Sequence, residues 1–153
     1  MGQNLTDNIP HRPPMHWLDN ATRETDGTVV AIRKLSDDQP FMMDGLLPRT
    51  ALLEIAAQAA ACAAARGQTG APPQPGVLAA LRNVHFFSTP RSGQTIAIRV
   101  RVVRSLGTLF LCTIEATTDG RPVLTGDFYF ALHRDSTHTA LESHSRTGNT
   151  DNN

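Results

Sequence analysis

Sixteen consecutive residues, Ala51 to Arg66, include nine alanines and only two polar groups in their body, Glu54 and Gln58. Pro48 and Thr50 predict a helix start, and Gly67 just past Arg66 predicts its end. Helix propensity is high throughout. At 1.5 Å per residue the helix is about 24 Å long. It has no charged outer face, and a helix that is apolar all round belongs inside something. Its small side chains let other backbone approach closely from every side. A curved sheet wrapped around one central helix meets that demand.

The remaining sequence supplies strands. Thr28 to Ile32 is a short run rich in β-branched residues after an Asp26-Gly27 turn. Gly76 to Phe87 contains a strand ending at His85-Phe86-Phe87. Gln94 to Arg104 alternates, with Ile96, Ile98, Val100 and Val102 on one face and Ala97, Arg99, Arg101 and Val103 on the other. A Leu106-Gly107 turn leads to a strand over Thr108 to Thr118. Asp119-Gly120 is a hairpin signal, and Pro122 to His133 returns. The order is strand, helix, then about four strands in a meander, which is an α+β architecture.

At 153 residues the chain is the size of one domain. Residues 1–8 are polar and predicted to fray. The stretch 134–153 has almost nothing to bury and is predicted to be a disordered tail. The folded unit is then 9–133. Fourteen basic residues balance fourteen acidic ones, so charge gives no reason to expect nucleic acid or an anionic membrane as partner. No apolar run has the length of a membrane helix, and the N-terminus lacks the apolar core of a signal peptide. These features predict a soluble, cytoplasmic protein. Cys62 and Cys112 lie in apolar runs and read as small buried hydrophobes. No Cys or His pair has zinc-site spacing, and no Gly-rich phosphate loop is present.

Four motifs in order narrow the reading. Ile9-Pro10-His11-Arg12-Pro13-Pro14-Met15, followed by Leu18-Asp19, resembles the Leu-Pro-His-Arg-x-Pro signature of the 3-hydroxyacyl-acyl carrier protein dehydratases. Leu53-Glu54-Ile55-Ala56-Ala57-Gln58 resembles their central-helix Ile-Glu-x-x-Ala-Gln. Val84 to Gly93 is similar to their third-strand stretch, and Asp119-Gly120 with Val123 and Gly126 to their last hairpin. The resemblance spans residues 9–133. It implies a hotdog fold, an acyl thioester substrate on acyl carrier protein or coenzyme A, and a homodimer. Pairing of open sheet edges across a two-fold gives that dimer a physical motive. One departure is plain. The typical dehydratase has a catalytic histidine in the loop before the helix, whereas Phe41 to Pro48 here has none. That loop is more similar to a divergent dehydratase-like group associated with aryl-polyene pigment clusters.

Dehydrating a 3-hydroxyacyl thioester requires removal of an α-proton and protonation of the departing β-hydroxyl, so one base and one acid must act at neutral pH. Glu54 is the candidate carboxylate. Burial on an all-Ala helix would raise its pKa and suit it to donate a proton. The bland alternative is an acidic residue in the first turn that favours the helix dipole. The exposed N–H groups of that turn would also suit a thioester carbonyl. His11 is the candidate partner, standing in for the missing loop histidine, with a turn-capping role as the alternative. Gln58, one turn beyond Glu54, would hold Glu54 or a substrate carbonyl, or else tie down neighbouring backbone. Thr50, Leu47 and Met43 complete the expected substrate-binding set. Met42, Leu46 and Trp17 are further candidates to line an acyl tunnel. Arg12, Arg49 and Arg91 would suit an acidic carrier or a phosphopantetheine phosphate. His16 and His85 are the other candidate histidines, and His85 reads as a half-buried strand residue.

The expected reaction is dehydration to the trans-2-enoyl thioester in fatty-acid or polyketide-type synthesis, without metal or nucleotide cofactor and with the substrate carried on phosphopantetheine. Two alternatives stay open. One is a non-catalytic hotdog subunit that binds an acyl thioester or an active hotdog partner. The other is a hotdog thioesterase in which Glu54 or Asp44 activates water.

Overall fold

The computed structural model describes residues 4–65 and 75–133. The expected helix stop at Gly67 and the expected tail lie outside the described residues. A short 3-10 turn, Leu5–Asn8, precedes β1 (Asn20–Arg23) and β2 (Val29–Lys34). Helix α1 (Arg49–Ala64) follows, then β3 (Gly76–Phe86), β4 (Thr95–Leu106), β5 (Leu109–Thr118) and β6 (Arg121–Leu132).

The six strands form one antiparallel sheet in the order β1-β2-β4-β5-β6-β3. Three of the four expected late strands, β4 to β6, are the expected meander. The fourth corrects it. β3 pairs with β6 at the far edge, and β4 pairs across the helix with β2. The physical reason is that α1 occupies the space between β2 and β3, so the strands on either side of it close around it separately. β1 was not anticipated. It is four residues long with only Ala21 buried, so it offers no alternation to read.

The alternation in β4 is carried into the fold, with Ile96, Ile98 and Val100 fully buried and Arg99 and Arg101 exposed. Phe110, Cys112 and Ile114 of β5 and Leu124, Phe128 and Phe130 of β6 join the same core. α1 lies over β2 and β4. Eleven of its sixteen residues are buried, so it is a core element on nearly every side. Ala56, Ala59, Ala60 and Ala63 are completely excluded from solvent. Both cysteines are free, and burial pushes the Cys62 thiol up to about 12 and that of Cys112 to about 11.

The ends of α1 differ from expectation. Pro48 is the N-cap, without a side-chain capping bond, and Arg49 begins the helix. Pro is suited to this boundary because it has no N–H to leave unpaired. At the other end Arg23 of β1 donates to the carbonyls of Cys62 and Ala63 at 3.5 and 3.2 Å. That places a cation at the negative end of the helix dipole. The expected fraying of residues 1–8 is corrected for its described part. Leu5 and Thr6 are buried, and Asn4 Oδ1 accepts the Thr6 and Ala21 N–H groups. Apolar anchoring by Leu5 outweighs the polar composition of the segment.

The sheet closes on α1 only because the facing helix positions are small. Replacing Ala59 by Leu is expected to lower unfolding stability by about 1–3 kcal/mol through overpacking. Urea unfolding reads this as a lower midpoint at unchanged slope. A variant as stable as the parent would show that the helix has room it is not described as having.

Candidate functional site

His11 lies on an irregular segment fixed on both sides by apolar anchors. Ile9 and Leu18 are 1% and 2% exposed. Between them the chain turns, with Met15 N–H donating to Arg12 O at 2.8 Å and Trp17 Nε1 to Pro14 O at 2.9 Å. Arg12 turns its guanidinium onto its own backbone, donating to the carbonyls of Ile9 and His11 at 2.8 and 2.7 Å. It is a brace for the histidine's segment and does not point outward at a phosphate.

The segment runs across α1 so that His11 Nε2 stands 3.4 Å from Glu54 Oε1. Both side chains keep about a third of their surface, 32% for His11 and 35% for Glu54. The pair is therefore reachable from outside. The expectation of a fully buried carboxyl is corrected, because the sheet does not cover this part of the helix. The dipole reading of Glu54 is also corrected. The helix begins at Arg49, its first turn contains no acidic residue, and Glu54 belongs to the second turn.

Gln58 is completely buried. Its Nε2 donates to Glu54 Oε1 at 2.9 Å and to Met15 O at 2.7 Å, while its Oε1 accepts the Trp17 N–H at 2.8 Å. Two of the roles considered for this side chain are realised together: it holds Glu54 and it ties down neighbouring backbone. With its donors and acceptor so engaged it has no group left for a substrate carbonyl, which removes it from the substrate-binding set.

Among the described residues no side-chain hydrogen bond ties the other expected residues to this cluster. Thr50 is exposed on the first turn of α1, one turn before Glu54. Leu47 is a core residue, 1% exposed, whose N–H donates to Pro90 O. Met43 is 65% exposed and bonded through its backbone to Leu46 in both directions. Asp44 and Gly45 between them both have positive φ, 50° and 71°. This is the two-residue turn that an Asp-Gly pair favours. Arg91 pairs with Leu46 as an isolated bridge, and Ser92 N–H donates to Gly45 O. The loop where the usual histidine is missing is thus a rigid turn seated on the β3–β4 connection. Arg49 stacks its guanidinium over the Phe86 ring at 5.1 Å.

One group was missed by sequence reasoning. Trp17 packs on Phe41 with ring centroids 4.4 Å apart, and Arg33 lies over the Phe41 ring while pairing with Asp19. This stack joins the His11 segment to the loop before α1. No local pattern links these four positions, so only the fold reveals them. His85, by contrast, faces away from the pair. It lines a polar depression of about 410 Å³ with Arg99, Arg101, Glu115 and Asp127, on the sheet face turned away from the helix. Among the described residues no group of His, Cys, Asp and Glu is arranged to hold a metal.

Residues 3–132 match the family described as ApeP-like, ApeP dehydratase. The 3-hydroxyacyl-[acyl-carrier-protein] dehydratase FabZ of Clostridium perfringens strain SM101 is 26% identical over 129 residues, covering 81% of this chain and 92% of the relative. FabZ of Streptococcus pneumoniae TIGR4 is 25% identical over 138 residues, 85% and 96% of the two chains. Among solved structures, the dehydratase heterocomplex ApeI:P from Xenorhabdus doucetiae is similar with a TM-score of 0.78 at 21% identity, over 88% of this chain and 93% of that one. A hypothetical thioesterase from S. pneumoniae TIGR4, solved with coenzyme A, gives 0.60 at 16% identity over 74% and 84%. These structural likenesses bear out the hotdog fold.

Trp17 is the single tryptophan, and its backbone is held by Gln58. Replacing Gln58 by Leu leaves the Trp17 N–H and Met15 O without their partner, at about 1–3 kcal/mol for each unsatisfied buried group. The expected outcome is a red shift of tryptophan emission with the far-UV spectrum retained. Unchanged emission would mean that the segment docks on α1 without Gln58.

Proposed function

Because this chain belongs to the ApeP-like dehydratase family, we propose that it removes water from a 3-hydroxyacyl thioester carried on phosphopantetheine, giving the trans-2-enoyl thioester. The observation that carries this reading is the accessible His11–Glu54 pair, 3.4 Å apart. The elimination breaks a C2–H bond and the C3–O bond and forms the C2–C3 double bond. His11 takes the C2 proton as base, and the Glu54 carboxyl delivers a proton to the leaving hydroxyl, which departs as water. A proton passed from His11 to Glu54 across their short separation returns both groups to their starting states. No net proton is consumed, and the step needs neither metal nor nucleotide cofactor. His11, brought in from the N-terminal segment, does the work of the histidine absent from the loop at Phe41 to Pro48.

Two further features support parts of this reading. Arg49 and Arg91 flank the turn beside the helix start and suit the phosphate of a phosphopantetheine arm or an acidic carrier protein. β3 is an edge strand that exposes Val77 by 65%, Leu78 by 39% and Leu81 by 36%. An apolar open edge of this kind invites a further strand, so the working form is an oligomer built on β3 with a second copy or another hotdog chain. Sedimentation of the purified protein tests this, and a lone-chain mass at working concentration contradicts self-pairing. No helix among the described residues is long and apolar enough to cross a membrane.

Intact-mass analysis of a 3-hydroxyacyl-phosphopantetheine substrate incubated with the protein tests the reaction. The expected result is loss of one water, slowed by roughly 10²–10⁴-fold in Glu54→Gln, the range typical of general acid–base groups. Release of free acid would mean hydrolysis, as in a thioesterase. Equal rates for wild type and variant would remove Glu54 from the chemistry.

A further inference from the structure

Val29, Ala31 and Arg33 follow one another on the face of β2 that meets the core. The first two are completely buried. Alternation calls for a third apolar residue, and Ile96, opposite on β4, is completely buried as well. The chain places a guanidinium there instead, with only 14% of its side chain exposed. Taking a cation out of water is costly, and an apolar side chain of similar volume commonly serves stability as well or better. The Nε of Arg33 is buried without a hydrogen-bond partner among the described residues. Stability therefore does not account for this charge.

The charge joins three pieces of chain. Arg33 Nη1 donates to Asp19 Oδ1 at 3.0 Å, while Asp19 Oδ2 accepts the backbone N–H of Lys34 at 2.6 Å. Asp19 ends the segment that carries His11 and leads into β1. Arg33 Cζ also lies 5.4 Å from the centre of the Phe41 ring, and that ring meets Trp17 at 4.4 Å. Phe41 begins the loop before α1, and Trp17 lies two residues before Asp19. β2, the N-terminal segment and the loop before the helix thus meet at one cation. A planar guanidinium pairs with a carboxylate and lies on a ring in one fixed geometry, which an aliphatic side chain or a flexible ammonium does not reproduce.

We propose that Arg33 is a positioning residue of this enzyme: through Asp19 and through the Phe41–Trp17 stack it sets the His11 segment against the loop before α1. The inference rests on the dehydratase reading above and deepens it, and it needs only that this segment forms part of the site. Arg33 touches no reacting atom. A misplacement of about 1 Å in a group aligned for reaction costs on the order of 10²-fold in rate.

Arg33→Met separates position from packing, because Met keeps apolar volume against Phe41 and removes the charge. Asp19 is 43% exposed and stays solvated without its partner. The expected result is a urea midpoint equal to or above that of the wild type, with kcat lowered roughly ten- to a hundredfold and KM little changed. Arg33→Lys keeps the charge without the planar contact and is expected to recover only part of the rate. Combining Arg33→Met with Asp19→Asn is expected to cost no more than the larger single loss, since the two side chains act as one unit. Wild-type kcat in folded Arg33→Met overturns the proposal, and so do single losses that multiply in the double variant. Should Arg33→Met fail to fold, Asp19→Asn carries the same test at a partly exposed position: a similar fall in kcat supports the proposal, and wild-type kcat overturns it. Each of these outcomes leaves the dehydratase reading standing while the wild type turns over. A wild type without dehydratase activity defeats that reading and the proposal with it.

Discussion

The close approach of an alanine helix to a curved sheet is the constraint from which the rest of this structure follows. Nine small side chains remove the standoff that larger ones would impose between α1 and the strands. The sheet can therefore wrap the helix, and β2 and β4, on either side of it in sequence, come together as neighbours. A helix enclosed in this way has little surface for charge. The two polar groups in its body must then either be satisfied internally or reach an opening. Gln58 does the first and Glu54 the second, one turn apart on the same stripe.

The site is what forms where the sheet stops covering the helix. The N-terminal segment fills this gap, held by Ile9 and Leu18 in the core and by Gln58 from beneath. Its placement brings an imidazole to a carboxylate that the sheet leaves reachable. The turn at Met43 to Leu46 has no histidine to offer, yet it is well fixed on the β3–β4 connection. The loop without a histidine is therefore an ordered wall, and in the proposed reaction the base comes from a different part of the chain. This pairing on a hotdog scaffold shows how a site is set by local side chains while the fold stays constant.

Much of the architecture is legible in the residues. The helix declares itself by composition, β4 by strict alternation, and the β5–β6 hairpin by Asp119-Gly120, whose φ angles of 49° and 73° are those the pair favours. What is not legible is pairing at a distance. β3 is exposed along most of its length, so its own pattern says nothing about which strand it joins. β1 buries one alanine and gives no periodicity. Within the site, Glu54 and Gln58 stand out as the polar exceptions on an apolar helix. His11 is one of several histidines until the fold sets it against Glu54. The burial expected for Glu54 fails because burial depends on where the sheet ends, a property of the whole fold.

The central claim is that His11 removes the C2 proton and Glu54 serves the departing hydroxyl. The most direct measurement follows the C2 position of a 3-hydroxyacyl-pantetheine thioester by proton NMR in deuterated buffer, wild type beside His11→Ala. The account predicts loss of the C2 proton signal and formation of the enoyl product with the wild type, and neither with the variant. Turnover by His11→Ala at the wild-type rate would contradict it, and would assign the base to a group other than the histidine beside Glu54.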